Sequence, residues 1–377
     1  MTVSKYDTAK GQRWRVRYTT PAGKYTDKRG FANKRSAEFW EAENVVSISR
    51  GAYVSPTSGR VLMSTLLDEV VGSAGSLAPT TVATRTSVAR KWVAEYWDGW
   101  RVDAVTPAAI KDWRNAIRDA GASETTLEKA NAVLKSVLER AVDRRLILAN
   151  PIPPLTLRKV VRRKRFSLTS AEVMELAHHI DSRHRVLIGV LAYTGLRFGE
   201  AAGLRAEDVD LARRRLDVRH AVAEVNGHVV EGSPKGGRAR SVPIPAFLLD
   251  DLASVVGARR PGELLFPAAR GGHIHLTTWR RRVFYPALDA VAESRRASGR
   301  SAFPQITPHD LRHTAASLAV QAGANVKALQ RVMGHSSAAL TLDVYADLYE
   351  SDLDEVSRRM DELVRADALN LGWPSRT

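Results

Sequence analysis

The chain has no cysteine among its 377 residues, which excludes disulfides, thiolate nucleophiles and cysteine-ligated zinc. Acidic residues are in short supply as well: 41 aspartates and glutamates face 57 lysines and arginines, a formal net charge of +16. The sequence shows no long uncharged apolar run, no signal peptide and no basic amphipathic helix of the peripheral type, so a membrane surface is not the expected object of that charge. The basic residues are spread along the whole length, a distribution that suits nucleic acid. A soluble, cytosolic protein is expected, and a reducing compartment fits the missing cysteine.

Single cores rarely grow beyond roughly 250 to 300 residues, so several domains are expected. The overall expectation is a multidomain, mostly α-helical chain with small β-sheets. Residues 1–60 read as a small β-rich domain, because Trp14, Val16 and Tyr18 alternate with Arg13, Arg15 and Arg17. One strand face is thus apolar and the other cationic, either a nucleic-acid face or an ordinary solvated one. A turn at Thr20-Pro21-Ala22-Gly23 precedes a further strand, and a helix with Phe39, Trp40, Val45 and Val46 is expected to cover the apolar face. Residues 61–150 carry helical periodicity throughout, with helix starts at Pro79 and Thr106-Pro107, and predict a four-helix domain.

Residues 151–165 hold three prolines followed by a basic run that includes Arg162, Arg163 and Lys164, and predict an extended interdomain linker. That run either follows a phosphate backbone or is merely solvated. Residues 166–377 are mixed α+β, with a strand-rich stretch from Arg215 to Ile244 whose turns fall at Asn226-Gly227 and at Pro234-Lys235-Gly236-Gly237. A last amphipathic segment with Leu353, Val356, Met360 and Leu363 predicts a C-terminal helical tail, packed within the chain or on a neighbouring copy. No repeat of solenoid period is present.

Four segments of the last domain place cations, imidazoles or a phenol at helix ends and turns. In Thr194-Gly195-Leu196-Arg197-Phe198-Gly199-Glu200 the glycine is placed to end an apolar helix, and Arg197 follows in the break. Its anion is either Glu200 or a phosphate. Thr307-Pro308-His309-Asp310-Leu311-Arg312-His313 reads as a helix start with Thr307 as N-cap, and puts His309 and Arg312, three residues apart, on one face. Gly334 caps the helix before His335, and Tyr345 follows on a short amphipathic segment. Taken alone, a histidine such as His335 or a tyrosine such as Tyr345 is more often structural. Together they offer arginines to neutralise a phosphate, histidines and a lysine to move protons, and a phenol to attack.

The segments TGLRFGE, SPKGGRAR, PHDLRHT and MGHSS followed by DVYADL resemble, in order and spacing, the motif set of the tyrosine recombinase (phage integrase) family. The resemblance covers most of residues 166–365. Residues 61–149 are similar, less specifically, to that family's core-DNA-binding domain, and residues 1–60 to its arm-type DNA-binding domain. The resemblance implies a catalytic domain of tyrosine recombinase type in residues 166–377 and a DNA recombinase that works through a 3′-phosphotyrosine and a four-way junction. It also implies a homotetramer on double-stranded DNA carrying core-type and arm-type attachment sites, on the nucleoid in a bacterial host's cytosol.

By the same resemblance Arg197 and Arg312 bind phosphate, Tyr345 is the nucleophile and Lys235 the general acid. His309 and His335 assist, and Glu200 supports the site. No cofactor or metal is implied; a DNA-bending host factor and an excisionase are possible partners. The interval from His335 to Tyr345 is one residue longer than in many relatives, which leaves Tyr349 as the rival nucleophile.

Three rival readings remain. A type IB topoisomerase shares the chemistry, and a catalytically silent DNA-binding regulator would share the fold. A zinc hydrolase would use His309 and His313, but an arginine between the ligands repels a cation and no clear third ligand is offered.

Overall fold

A computed structural model describes residues 1–9, 11–55, 57–73, 75, 77–158, 166–234, 236–237, 239–334, 357–358 and 360–361. The chain divides into two units, Met1–Val161 and Arg162–Thr377. The first begins with an antiparallel sheet in the order β1 (Thr2–Thr8), β2 (Gly11–Thr19), β3 (Tyr25–Phe31). Val16 and Tyr18 are buried on one face, and Arg13, Arg15 and Arg17 alternate with them onto the other.

Helix α1 (Lys34–Ser49), capped by Asn33, packs on the apolar face. Trp40 lies 5.3 Å from the Tyr18 ring and 5.9 Å from Phe31. The expectation for this helix needs correcting, because its covering stripe is Ala37, Trp40 and Asn44, at spacings of three and four. Phe39, Val45 and Val46 fall on the opposite side and are exposed.

The helical part of this unit is made of α2 (Met63–Gly72), α3 (Pro79–Val88), α4 (Glu95–Trp97), α5 (Pro107–Asp119) and α6 (Glu124–Asp143). A π-helical stretch, Ala89–Ala94, joins α3 to α4. Proline opens α3 and α5 where its missing N–H costs nothing, and Thr106 and Ser123 cap α5 and α6 through their hydroxyls. Trp97, Trp113, Leu134 and Leu138 are among the fully buried side chains of the core. Truncating a tryptophan so placed costs about 3–5 kcal/mol. A helical turn at Ser58–Arg60 packs here too, since Ser58 bonds the Arg145 carbonyl and Gly59 is buried against Asp103.

The proline-rich segment that follows α6 is fastened to these helices through residue 158. Pro153 and Pro154 accept from the buried Arg114, and Thr156 accepts from Arg118. Arg118 and the Arg158 N–H both donate to Glu124. Arginine suits this segment, because prolines have no N–H and their carbonyls need donors from elsewhere. Residues 159–165, with Arg162, Arg163 and Lys164, lie outside the described residues.

The second unit opens with α7 (Ser170–His179), α8 (Ser182–Thr194) and α9 (Phe198–Ala202). Next come β4 (Val209–Asp210), β5 (Arg215–Val218), β6 (Ala221–Val225), β7 (His228–Gly232) and β8 (Arg240–Pro243). Helices α10 (Leu249–Gly257), α11 (Leu276–Trp279), α12 (Tyr285–Ala297), α13 (Pro308–Gln321) and α14 (Val326–Met333) follow, α11 passing into α12 through a π-helical turn, Arg280–Phe284. Leu187, Val190 and Leu191 of α8 join Leu216, Val218, Val242 and Leu311 in the core.

The strands form two sheets, β4-β5-β8 and the hairpin β6-β7. The hairpin turns at Asn226-Gly227, both at positive φ as a tight two-residue turn requires. The resemblance that makes Lys235 the general acid places it in the turn of a β-hairpin. The neighbouring Pro234, Gly236 and Gly237 instead belong to the connection from β7 to β8, strands of separate sheets. Burial explains the separation: Val242 of β8 reaches the core beside Leu216 of β5, whereas β6 and β7 have no fully buried residue.

Candidate active site

Helix α8 ends at Gly195, in the left-handed region at φ 67, and the chain breaks before α9. Arg197 stands at that break. Glu200, one turn into α9, accepts the Arg197 backbone N–H at 2.8 Å and its Nη1 at 2.9 Å. Of the two anions considered for Arg197, the carboxylate is therefore present. A second guanidinium arrives from β8, where Arg240 donates to both oxygens of Glu200 at 2.9 and 2.6 Å and, through Nε, to the Val332 carbonyl at 3.0 Å. Burial raises the Glu200 carboxyl, but the hydrogen bonds and charge of Arg240, followed by those of Arg197, prevail and hold it below its ordinary value.

Helix α13 begins with reciprocal capping, Thr307 offering its hydroxyl and Asp310 bonding back to the Thr307 N–H at 2.7 Å. Arg312, one turn in, is buried and donates to the carbonyls of Gly195 and Met333. It therefore ties the end of α8 to the end of α14, and satisfies carbonyls that helix termini leave open. Gly334 closes α14 in the left-handed region at φ 61. His309 is exposed at the start of α13, its ring edge-on to His313 with centroids 5.0 Å apart, so Arg312 turns inward while His309 faces out. Among the described residues no three His, Asp or Glu side chains are grouped to hold a metal ion.

A backbone contact fixes the hairpin against this site. A Cβ built on Gly199 of α9 would lie 2.1 Å from the Val222 carbonyl of β6, so only glycine admits that approach.

The structure thus brings together Arg197, Glu200 and Arg312 of the expected set, with His309 on the exposed start of α13. Lys235, His335, Tyr345 and the rival Tyr349 lie outside the described residues. Arg240 is the member that the sequence motifs did not single out. The signal was available: Arg240 is in phase with Val242 of the same strand and with Ile244 just beyond it, both buried, and an inward arginine needs a carboxylate.

In the first unit, Arg13, Arg15 and Arg17 share the open face of the sheet with Arg29, the register partner of Arg15. Arg15 and Arg29 flank the Tyr6 ring at 5.8 and 6.0 Å, and both approach Asp27, which offsets part of the charge.

Residues 167–352 match the phage integrase family. The chain is 26% identical over 375 residues to an integrase of Mycobacterium phage D29, covering 94% of this chain and 96% of that one. It is 30% identical over 261 residues to the tyrosine recombinase XerC of Mycobacterium bovis, covering 64% of this chain and 79% of XerC. Among solved structures it resembles a lambda integrase tetramer bound to a Holliday junction, with a TM-score of 0.56, 19% identity, and coverage of 89% of this chain and 94% of that one.

Proposed function

The chain belongs to the phage integrase family of tyrosine recombinases, site-specific enzymes that cut and rejoin DNA strands, and on that footing we propose Tyr345 as its nucleophile. In this reading the Tyr345 hydroxyl passes its proton to the histidine pair, His309 and His335, as its oxygen attacks the scissile phosphorus, a phosphotyrosine bond forms at the 3′ end, and the bond to the 5′ oxygen breaks. Lys235 gives that oxygen its proton. A phenol, with a reference pKa of about 10, is a better leaving group than an alkoxide, so the linkage reverses when a new 5′ hydroxyl attacks. The bond energy is kept in the phosphotyrosine, and neither ATP nor a metal enters the scheme.

One observation carries the reading: Arg312 bridges the carbonyls of Gly195 and Met333, so the turns preceding Arg197 and His335 are fastened to one buried guanidinium. Arg197 and Arg312 would meet the phosphate oxygens there, and His309 and His335 would bond the same phosphate. The similarity to a junction-bound tetramer supports a tetramer of this chain exchanging strands across a four-way junction. The sheet face with Arg13, Arg15 and Arg17 is assigned to arm-type DNA and the helices of residues 61–150 to core-type DNA; of the expected linker 151–165 only residues 159–165 are assigned to linking, because the segment up to 158 is fastened to those helices. The enzyme would act on bacterial DNA in the cytosol; an excisionase and a DNA-bending host factor are the partners to test for.

The decisive experiment traps the covalent adduct on a nicked duplex whose core site has been captured from a random-sequence library, and maps the modified residue. Tyr345→Phe is expected to bind the duplex without forming an adduct, and Tyr349→Phe to form it. The opposite pattern moves the nucleophile to Tyr349; no adduct with either variant or with the wild type overturns the reading.

A further inference from the structure

Arg197 is asked to meet a phosphate, yet Glu200 already holds it. Alone with that carboxylate it would be half of a closed ion pair, and opposite charges at contact distance largely cancel for a third group farther off. The second guanidinium changes this. Arg240 occupies both oxygens of Glu200, whereas Arg197 reaches one of them through its side chain. Two guanidiniums against one carboxylate leave the triad a positive charge.

That charge is not distributed evenly. Glu200 is 1% exposed and Arg240 12%, while Arg197 is 28% exposed and is the member open to a ligand. Arg240 is committed elsewhere, its Nε to the Val332 carbonyl at the end of α14. A Cβ on Gly334 would lie 3.1 Å from the Arg240 side chain, so the glycine that ends α14 also makes room for this guanidinium.

We propose that Arg240 is a positioning residue for strand transfer, the counter-cation that occupies Glu200 and so leaves the charge of Arg197 to the scissile phosphate. This role rests on the strand-transfer reading above. It differs from bracing alone, because what it requires at position 240 is a positive charge, whereas bracing requires the guanidinium's fork of hydrogen bonds.

The test measures covalent adduct formation by the full chain on the captured core duplex, and on the same duplex with an uncharged methylphosphonate at the scissile position. On the phosphodiester, Arg240→Gln is expected to slow adduct formation roughly tenfold to a hundredfold, less than the roughly hundredfold to thousandfold of a donor that itself touches the developing charge. Arg240→Lys, which keeps the charge and loses the fork, should stay within a few fold of wild type. On the methylphosphonate, which has no charge to neutralise, Arg240→Gln should approach the wild-type rate. Equal losses on both duplexes, or an Arg240→Lys variant as impaired as Arg240→Gln, would overturn the counter-charge role. A wild-type protein that forms no adduct on the phosphodiester refutes the strand-transfer reading, and this role with it.

Discussion

Gly199→Ala tests the architecture of the site with a single methyl group. In open space the change would help, since alanine is favoured over glycine in a helix by about 0.8–1.0 kcal/mol. Here the new Cβ would sit 2.1 Å from the Val222 carbonyl oxygen. Carbon and carbonyl oxygen rarely approach closer than about 3.3 Å, so β6 and α9 must separate by about 1.2 Å. Both partners are backbone and neither can swing aside as a side chain would.

Overpacking of this kind costs about 1–3 kcal/mol, which outweighs the propensity gain and lowers the melting temperature by a few degrees. The larger effect falls on chemistry, because Arg197 caps α9 and a misplacement of about 1 Å costs on the order of a hundredfold in rate. Calorimetry and the rate of adduct formation measure the two effects. Gly232→Ala is the control, since nothing lies within 4 Å of its added Cβ. A Gly199→Ala variant more stable than wild type and equally fast would refute the flush packing of the hairpin on α9.

Lys235→Ala should cripple cleavage of ordinary DNA yet cleave a duplex whose bridging 5′ oxygen is sulfur, because a thiolate leaves without a proton; equal impairment on both substrates removes the general-acid role. Deleting residues 1–55, which spares the turn at Ser58–Arg60, should abolish arm-type binding and leave core cleavage largely intact; a folded truncation that no longer cleaves core DNA contradicts the separate-arm assignment. Arg118, then the Arg158 N–H, pulls the Glu124 carboxyl from its ordinary 4.5 down to about 2. Because the folded value is depressed, the stability this group lends is present above pH 4.5 and lost as pH falls toward 2. Carbon-detected NMR titration should place its midpoint near 2, and a midpoint near 4.5 would show that the Arg118 contact does not persist in solution.

Local chemistry was the legible part of the fold. Pro79, Thr106-Pro107, Thr307 and Gly195 announce helix ends because caps act within one turn, and Asn226-Gly227 announces its turn because few residues accept positive φ in succession. Pairing across distance was not legible. Alternation marks β8 as a strand with an inward face, but nothing in Arg240-Ser241-Val242-Pro243 says that it joins β5 and not β7. Gly199 reads as a weak helix residue until the Val222 carbonyl is seen against it, and the stripe of α1 that packs, with a small alanine and a polar asparagine beside Trp40, was masked by the more uniformly apolar Phe39, Val45 and Val46. In the site, residue types and order were readable, while the sharing of Glu200 between two arginines from separate elements appears only in three dimensions.

The fastening of residues 150–158 bears on where the helical part can be cut for expression by itself. Composition suggests ending a fragment at residue 150, where the prolines begin. Such a fragment would retain Arg114, 5% exposed and also bonded to the Asn131 side-chain oxygen, but lack its two carbonyl acceptors, Pro153 and Pro154. A buried donor left without its acceptor costs about 1–3 kcal/mol, and more when it is charged, a large share of what a domain this size has to spare. A fragment ending after Arg158 keeps those acceptors and the backbone bond to Glu124, and is the better-behaved piece to purify.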